Sequence, residues 1–141
     1  MIFSDTSAVA KFYLPEAGSR DVRELFGAEE IALSELARVE LMAVFHRCLR
    51  EKRWGRSDFD AALRQFSRDD AGGFWTWLPL DRTIIITAAE IYPKLPEDLF
   101  LRSSDCLHLM SAIHYDFDAI CTYDTHQTAA AASLGLKAFK A

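Results

Sequence analysis

Short apolar runs alternate with longer stretches of helical periodicity along the whole chain. Met1-Ile2-Phe3-Ser4 reads as a first strand, and Ser7 to Leu14 as a short helix stopped before Pro15. A second helix is predicted over Gly18 to Phe26, ended by Gly27, followed by a brief strand at Ile31-Ala32-Leu33. Ser34 is suited to cap a helix running to about Arg53 and closed by Gly55. Ser57 opens the next helix, with Asp60 in the N3 position of an approximate capping box, and this helix fades near Asp69 to Gly73. Phe74 to Leu80 suits a strand whose Pro79 marks an edge or terminus. Asp81 caps a helix through Ile91, and Pro93 and Pro96 mark a loop. Ser103 or Ser104 is expected to cap a helix to about Tyr115. A strand ends at Tyr123, a helix spans Thr125 to Leu134, and a last short strand covers Leu136 to Phe139. Strands alternating with helices predict an α/β sandwich on a mostly parallel sheet. No repeat, linker or low-complexity tract interrupts it, so residues 1–141 are expected to form a single domain.

Composition narrows the class. Half of the residues are hydrophobic, an ordinary globular level. The net charge of −5 argues against a general nucleic-acid coat, although an acidic metal site contributes locally to such a charge. Cys48, Cys106 and Cys121 are odd in number and widely spaced, which points to buried thiols in a reducing cytoplasm rather than to zinc ligands or disulfides. No signal peptide is evident and no apolar run reaches transmembrane length. A cytoplasmic protein without membrane contact is the expectation.

Four acidic residues stand out from this pattern. Asp5 and Asp124 each follow an apolar strand, Asp105 opens an apolar helix, and Glu40 lies in a helix that is otherwise almost wholly apolar from Leu36 to Phe45. Asp at a helix start is commonly a cap, and that reading serves Asp5, Asp124 and Asp105 taken singly. Glu40 shares its face with Leu36, Ala37, Ala43 and Val44, where an unpaired carboxylate is costly and a structural salt bridge is the plain alternative. Parallel strands bring their carboxyl ends to one edge, where ligands of α/β proteins bind. Carboxylates gathered there repel one another unless a cation neutralises them, so the joint pattern points to a divalent-metal site. His108 shares the helical face of Asp105 and reads first as a hydrogen-bonded packing histidine; His126 reads as a surface residue. Arg47, Arg50, Lys52, Arg53 and Arg56 crowd one helix end, either as a solvated turn or as a phosphate-contacting patch with Trp54 available for stacking. Phe74, Trp75 and Trp77 read as core or interface residues. No P-loop, dinucleotide-binding or nucleophile-elbow motif is present.

At these residues the chain resembles a PIN-domain ribonuclease of the VapC toxin type. M-I-F-S-D-T-S-A-V-A-K-F-Y resembles the family's first strand and D-[ST]-S turn, and S-E-L-A-R-V-E-L-M-A-V-F its glutamate-bearing helix. L-R-S-S-D-C-L-H-L-M-S-A resembles L-R-x-x-D-A-L-H-L-A-x-A, with Cys106 and Met110 in place of alanines, and I-C-T-Y-D matches a strand-terminal T-x-D. The resemblance implies a PIN-like α/β/α sandwich and metal-dependent endoribonuclease activity on structured RNA such as tRNA or rRNA. It implies Asp5, Glu40, Asp105 and Asp124 as the acidic site, with Thr6 or Ser7, and Thr122, as hydroxyl supports. Asp5, Asp105 and Asp124 would hold metal, and Mg²⁺ or Mn²⁺ suits such an all-oxygen set. The implied partners are RNA and a small VapB-like antitoxin. A homodimer is also expected, because exposed aromatics and apolar helix faces are plentiful in so short a chain.

Three other readings compete. A HAD-like phosphatase would place a second Asp two residues after Asp5, where this chain has Ser7. A receiver-like module would need a lysine after a late strand and a further helix, whereas Lys137 lies within the final strand. A PIN-like scaffold that binds a partner without catalysis need not keep four carboxylates.

Overall fold

A computed structural model describes residues 1–141. Five short strands, β1 (Ile2–Ser4), β2 (Ile31–Ser34), β3 (Trp75–Leu78), β4 (Ala119–Cys121) and β5 (Lys137–Phe139), form one sheet in the order β3-β2-β1-β4-β5. Every pairing is parallel. The expectation of a mostly parallel sheet is met in full, and the strand order reverses between β1 and β4.

Helices α1 (Thr6–Tyr13), α2 (Ser19–Ala28), α3 (Leu36–Arg50) and α4 (Arg56–Ala71) pack in sequence on one side, α1 touching both α2 and α3. Helices α5 (Arg82–Ile91), α6 (Ser103–His114) and α7 (Thr125–Ser133) cover the other. The alternation of strand side chains divides the core accordingly. Ile31, Leu33 and Cys121 join Val9, Phe26, Leu41 and Phe45 in the first layer. Phe3, Ala32 and Ile120 join Ile84, Leu109 and Ala130 in the second. Cys48, Cys106 and Cys121 are buried and free, as expected.

The differences lie at element boundaries. Helix α2 continues through Gly27 to Ala28 instead of stopping before it. Helix α3 ends at Arg50, and Gly55 is the N-cap of α4 rather than the stop of α3. The N3 residue there is Asp58, not Asp60, and its Oδ2 accepts from the Gly55 N–H at 2.9 Å. Ser34 belongs to β2, and its hydroxyl still receives the Leu36 N–H at 3.3 Å. Arg102, not a serine, stands at the N-cap of α6, with Ser103 the first helical residue. Gly and Ser serve several boundary roles, so composition alone places them within a few residues. Strand β3 lies at the sheet edge, as Pro79 suggested.

Candidate active site

The reversal of strand order separates the connections leaving β1 and β4 and opens a crevice at the strands' carboxyl ends. Asp5 and Asp124 stand at that crevice. The Asp5 N–H donates to the Cys121 carbonyl at 3.1 Å, which ties the two strand ends together. Both residues cap helices. Asp5 Oδ1 accepts from the Ala8 N–H at 3.2 Å, and Asp124 Oδ1 from the Gln127 N–H at 2.8 Å. Capping takes one oxygen of each, and the other accepts from side chains around the crevice, Ser7 and Thr122 for Asp5 and Arg102 for Asp124, so the capping reading holds for both aspartates.

The second oxygen of Asp5 accepts from Thr122 Oγ1 at 2.8 Å, and the Ser7 hydroxyl lies 2.8 and 2.9 Å from the two carboxylate oxygens. Ser7 also receives the Tyr123 N–H at 2.8 Å, and Thr122 that of Asp124 at 3.1 Å. Two hydroxyls thus lock Asp5 to the β4 turn. Asp5 is only 3% exposed and has no cationic partner within salt-bridge distance. Burial pushes its carboxyl above the usual range, against the charge of His108 and the bonds from Ser7 and Thr122.

Glu40 comes from α3 in one layer and His108 from α6 in the other. They hydrogen-bond over the sheet edge, His108 Nε2 to Glu40 Oε1. Thr6 Oγ1 donates to the same oxygen at 2.8 Å and lies 3.3 Å from His108 Nε2. Burial raises the Glu40 carboxyl, but the bond and charge of His108, together with bonds from Thr6 and Ser104, outweigh it and the net shift is downward. Burial lowers His108, but the bond and charge of Glu40, together with the charges of Asp5 and Asp105, outweigh that and raise it. The pair therefore favours carboxylate and imidazolium. The costly glutamate is answered by a histidine, and the histidine read as a packing residue lines the cleft.

Arg102 completes the acidic group. Its Nε donates to Asp105 Oδ2 at 2.7 Å and its Nη2 to Asp124 Oδ2 at 2.8 Å. The bond and charge of Asp105, then the charges of Asp124 and Glu40, hold this guanidinium above its ordinary pKa against partial burial.

All four carboxylates line one cleft of about 510 Å³, together with Thr6, Ser7, Arg102 and His108. Lys11, Arg47, Arg53 and Tyr123 also line it, with Glu16 paired to Lys11 at 3.1 Å and to Arg53 at 3.8 Å. Of the arginines grouped by sequence, only Arg47 and Arg53 reach this cleft. Arg50 faces Glu51 at 3.8 Å and Arg56 faces Asp60 at 3.4 Å, so the helix-end patch divides. Trp54 packs on Phe45, and exposed His126 packs on Phe100. Gly18, at φ +86°, lies against Tyr123; an added Cβ would sit 3.1 Å from that ring. The tyrosine therefore keeps its place on the cleft wall, 4.7 Å under Lys11 Nζ.

Arg102, Lys11 and Tyr123 carry no role in the sequence pattern, yet all three line the cleft. Arg102 had a visible signal, three residues before Asp105. Lys11 lies one helical turn beyond Ser7, a spacing that marks a shared face without saying what the face meets.

The donor chemistry suits a hard divalent cation: carboxylate oxygens, one of them buried without a counter-ion. Yet no three acidic or imidazole groups converge as ligands, because Arg102 holds Asp105 and Asp124 while His108 and Thr6 hold Glu40. The residues fit the ion; their present pairings leave Arg102 on two of the candidate ligands.

A parallel α/β sandwich with acidic residues at its switch point defines the class of molecule. The PIN domain family model matches residues 2–133, and the chain belongs to the PIN domain family. Solved structures share the fold. VapC20 of Mycobacterium tuberculosis, described as a sarcin-ricin loop cleaving toxin, is 16% identical over 92% of this chain and 95% of its own, with a TM-score of 0.71. FitAcB from Neisseria gonorrhoeae is 17% identical over 99% and 97%, with a TM-score of 0.70. A toxin-antitoxin complex from Klebsiella pneumoniae is 16% identical over 92% and 91%, at 0.60. No curated protein matches the chain by sequence.

Proposed function

We propose that residues 1–141 form one PIN-like domain acting as a metal-dependent endoribonuclease, the toxin of a type II toxin–antitoxin pair. The observation that carries this reading is the meeting of Asp5, Glu40, Asp105 and Asp124 in one cleft of a PIN domain, with Asp5 buried and lacking an ion pair. Asp5, Asp105 and Asp124 are the residues to hold Mg²⁺ or Mn²⁺. When bound, such an ion supplies Lewis acidity and an acidified water for in-line attack on a phosphodiester.

The chain's own groups do the positioning. Ser7 and Thr122 fix Asp5. Thr6 and His108 keep Glu40 ionised and oriented, so that it can accept a hydrogen bond from the attacking water and align it on phosphorus. Lys11, Arg47 and Arg53, lining the cleft, receive the flanking phosphates.

The sarcin-ricin description of the VapC20 relative supports structured RNA with an exposed loop, such as rRNA or tRNA, as the substrate. The toxin-antitoxin complex from Klebsiella pneumoniae among the structural relatives supports a small VapB-like antitoxin as partner. No helix is long and apolar enough to cross a membrane. A cytoplasmic homodimer completes the proposal.

The test is incubation of purified protein with total RNA in Mg²⁺, Mn²⁺ or EDTA. Discrete fragments with metal and none in EDTA are expected. Asp105→Asn should cut the rate by at least about 100-fold, since loss of a mere supporting partner costs metal sites about 10–100-fold. Intact RNA under all three conditions would leave a PIN-like scaffold that binds a partner without catalysis.

A further inference from the structure

We propose that Arg102 is an internal cation that competes with the divalent ion for Asp105 and Asp124, and so sets the metal affinity of the cleft. This rests on the metal reading above and adds the control of that site. The fork of one guanidinium takes Oδ2 of both aspartates, at 2.7 and 2.8 Å. A guanidinium matches two carboxylate oxygens well, but it is monovalent and supplies no Lewis acidity.

The surroundings suit an exchange. The two aspartates are largely buried, whereas the arginine side chain is 56% exposed. The carboxylates therefore stay in place while the arginine has open solvent to move into. Arg102 is extended, at φ −72° and ψ 154°, and precedes the first turn of α6. The side chain thus reaches Asp105 from outside the helix and can release it without disturbing helical hydrogen bonds.

Charge accounting gives the exchange its sense. Asp5, Glu40, Asp105 and Asp124 carry four negative charges when ionised, and Arg102 with protonated His108 returns two. His108 is committed to Glu40, and Asp5 has no ion pair. Arg102 is therefore the cation whose departure frees two carboxylates beside Asp5 for a divalent ion. Without metal it holds Asp105 and Asp124 together against their repulsion. With metal it is released at the mouth of the cleft, where an RNA phosphate is the next available anion.

The experiment is Mn²⁺ binding to the purified full chain, followed by the electron paramagnetic resonance signal of free Mn²⁺. The proteins are wild type, Arg102→Gln, Arg102→Lys and Asp5→Asn. Arg102→Gln should bind Mn²⁺ roughly three- to tenfold more tightly than wild type, the scale of two partly exposed ion pairs given up together. Arg102→Lys, which keeps the charge without the fork, should fall between them, and it carries the test if the glutamine variant does not fold. Asp5→Asn should lose the binding, which assigns the signal to this cleft. Equal or weaker Mn²⁺ binding by the Arg102 variants would overturn the competition and leave the nuclease reading standing. No Mn²⁺ bound by any of the proteins would remove both.

Discussion

At the scale of single residues, the cleft holds two carboxylates with opposite perturbations. Asp5 is raised by burial, opposed by the charge of His108 and the bonds from Ser7 and Thr122. A carboxylate raised in the folded state binds more protons folded than unfolded over the window above its ordinary pKa. Its contribution to stability therefore falls as pH rises through that window. At neutral pH, without metal, Asp5 is a net burden. Asp5→Asn should raise the melting temperature in EDTA, by about 0.5–2 kcal/mol equivalent, as other function-relieving changes do. It should also abolish the Mn²⁺-induced shift. A lower melting point in EDTA would mean that the Ser7 and Thr122 hydrogen bonds outweigh the burial cost. Glu40 and His108 behave in the reverse way. Glu40 is lowered, so its contribution is present above its unfolded pKa and lost as pH falls through the folded one. His108 is raised, so its contribution is present below its unfolded pKa and lost as pH rises through the folded one. An NMR titration should place the His108 ring above 6.5, its ordinary value. In Glu40→Gln, where burial acts with less opposition, the midpoint should fall. An unchanged midpoint would show that Glu40 does not hold the imidazolium.

Single elements supply the positioning. Helices α1 and α7 each begin on an aspartate whose first oxygen caps the helix and whose second is held by side chains of the site, so each cap also fixes a carboxylate in the cleft wall. Two substitutions separate these duties at Asp124. Asn caps as well as Asp but carries no charge, whereas Ala does neither. Asp124→Ala should lose about 1 kcal/mol relative to Asp124→Asn in urea denaturation. Both should weaken Mn²⁺ binding. Equal stability of the two variants would mean that the cap adds nothing to α7. Repulsion among four carboxylates, taken alone, implies that neutralising Asp124 stabilises the metal-free protein. The Arg102 ion pair reverses that sign: Asp124→Asn gives up a 2.8 Å contact and should melt at or below wild type in EDTA.

For the whole molecule, the two helical layers meet at the site, because the Glu40–His108 bond joins α3 to α6 over the sheet edge. Binding of a divalent ion should therefore stabilise the entire fold. The expected gain is about 2.7 kcal/mol at 100 times the dissociation constant, read as a rise in melting temperature. The surface carries apolar residues that do not line the cleft. Ile85 and Ile86 on α5, and Phe100 in the loop before α6, are all substantially exposed. Their exposure supports the proposed homodimer. Light scattering after size exclusion at micromolar concentration should give twice the monomer mass, and Ile86→Glu should shift it toward monomer. A wild-type monomer would count against the dimer.

The sequence by itself determined the order of elements, the parallel α/β class and which four carboxylates are candidates for a site, because each is written in local terms. Alternating strand and helix periods, an Asp at a strand end, and a Glu in an apolar helix all report within a few residues. Cap positions were less legible, since Gly55, Ser34 and Arg102 occupy boundary roles that neighbouring Gly or Ser residues could equally fill. Only the tertiary structure decided the partners. Glu40 and His108 lie 68 positions apart, and Asp5 and Thr122 lie 117 apart. No local period encodes such meetings; the reversal of strand order at β1 and β4 creates them. The same topology sends Arg47 and Arg53 to the cleft, where Arg53 faces Glu16 at 3.8 Å, while Arg50 and Arg56 pair outside it. It also brings Asp124 within reach of Arg102, so that a residue visible in sequence only as a neighbour of Asp105 bridges two carboxylates. Local chemistry specified which groups could act, and the folding of distant segments onto one sheet edge decided which of them act on one another.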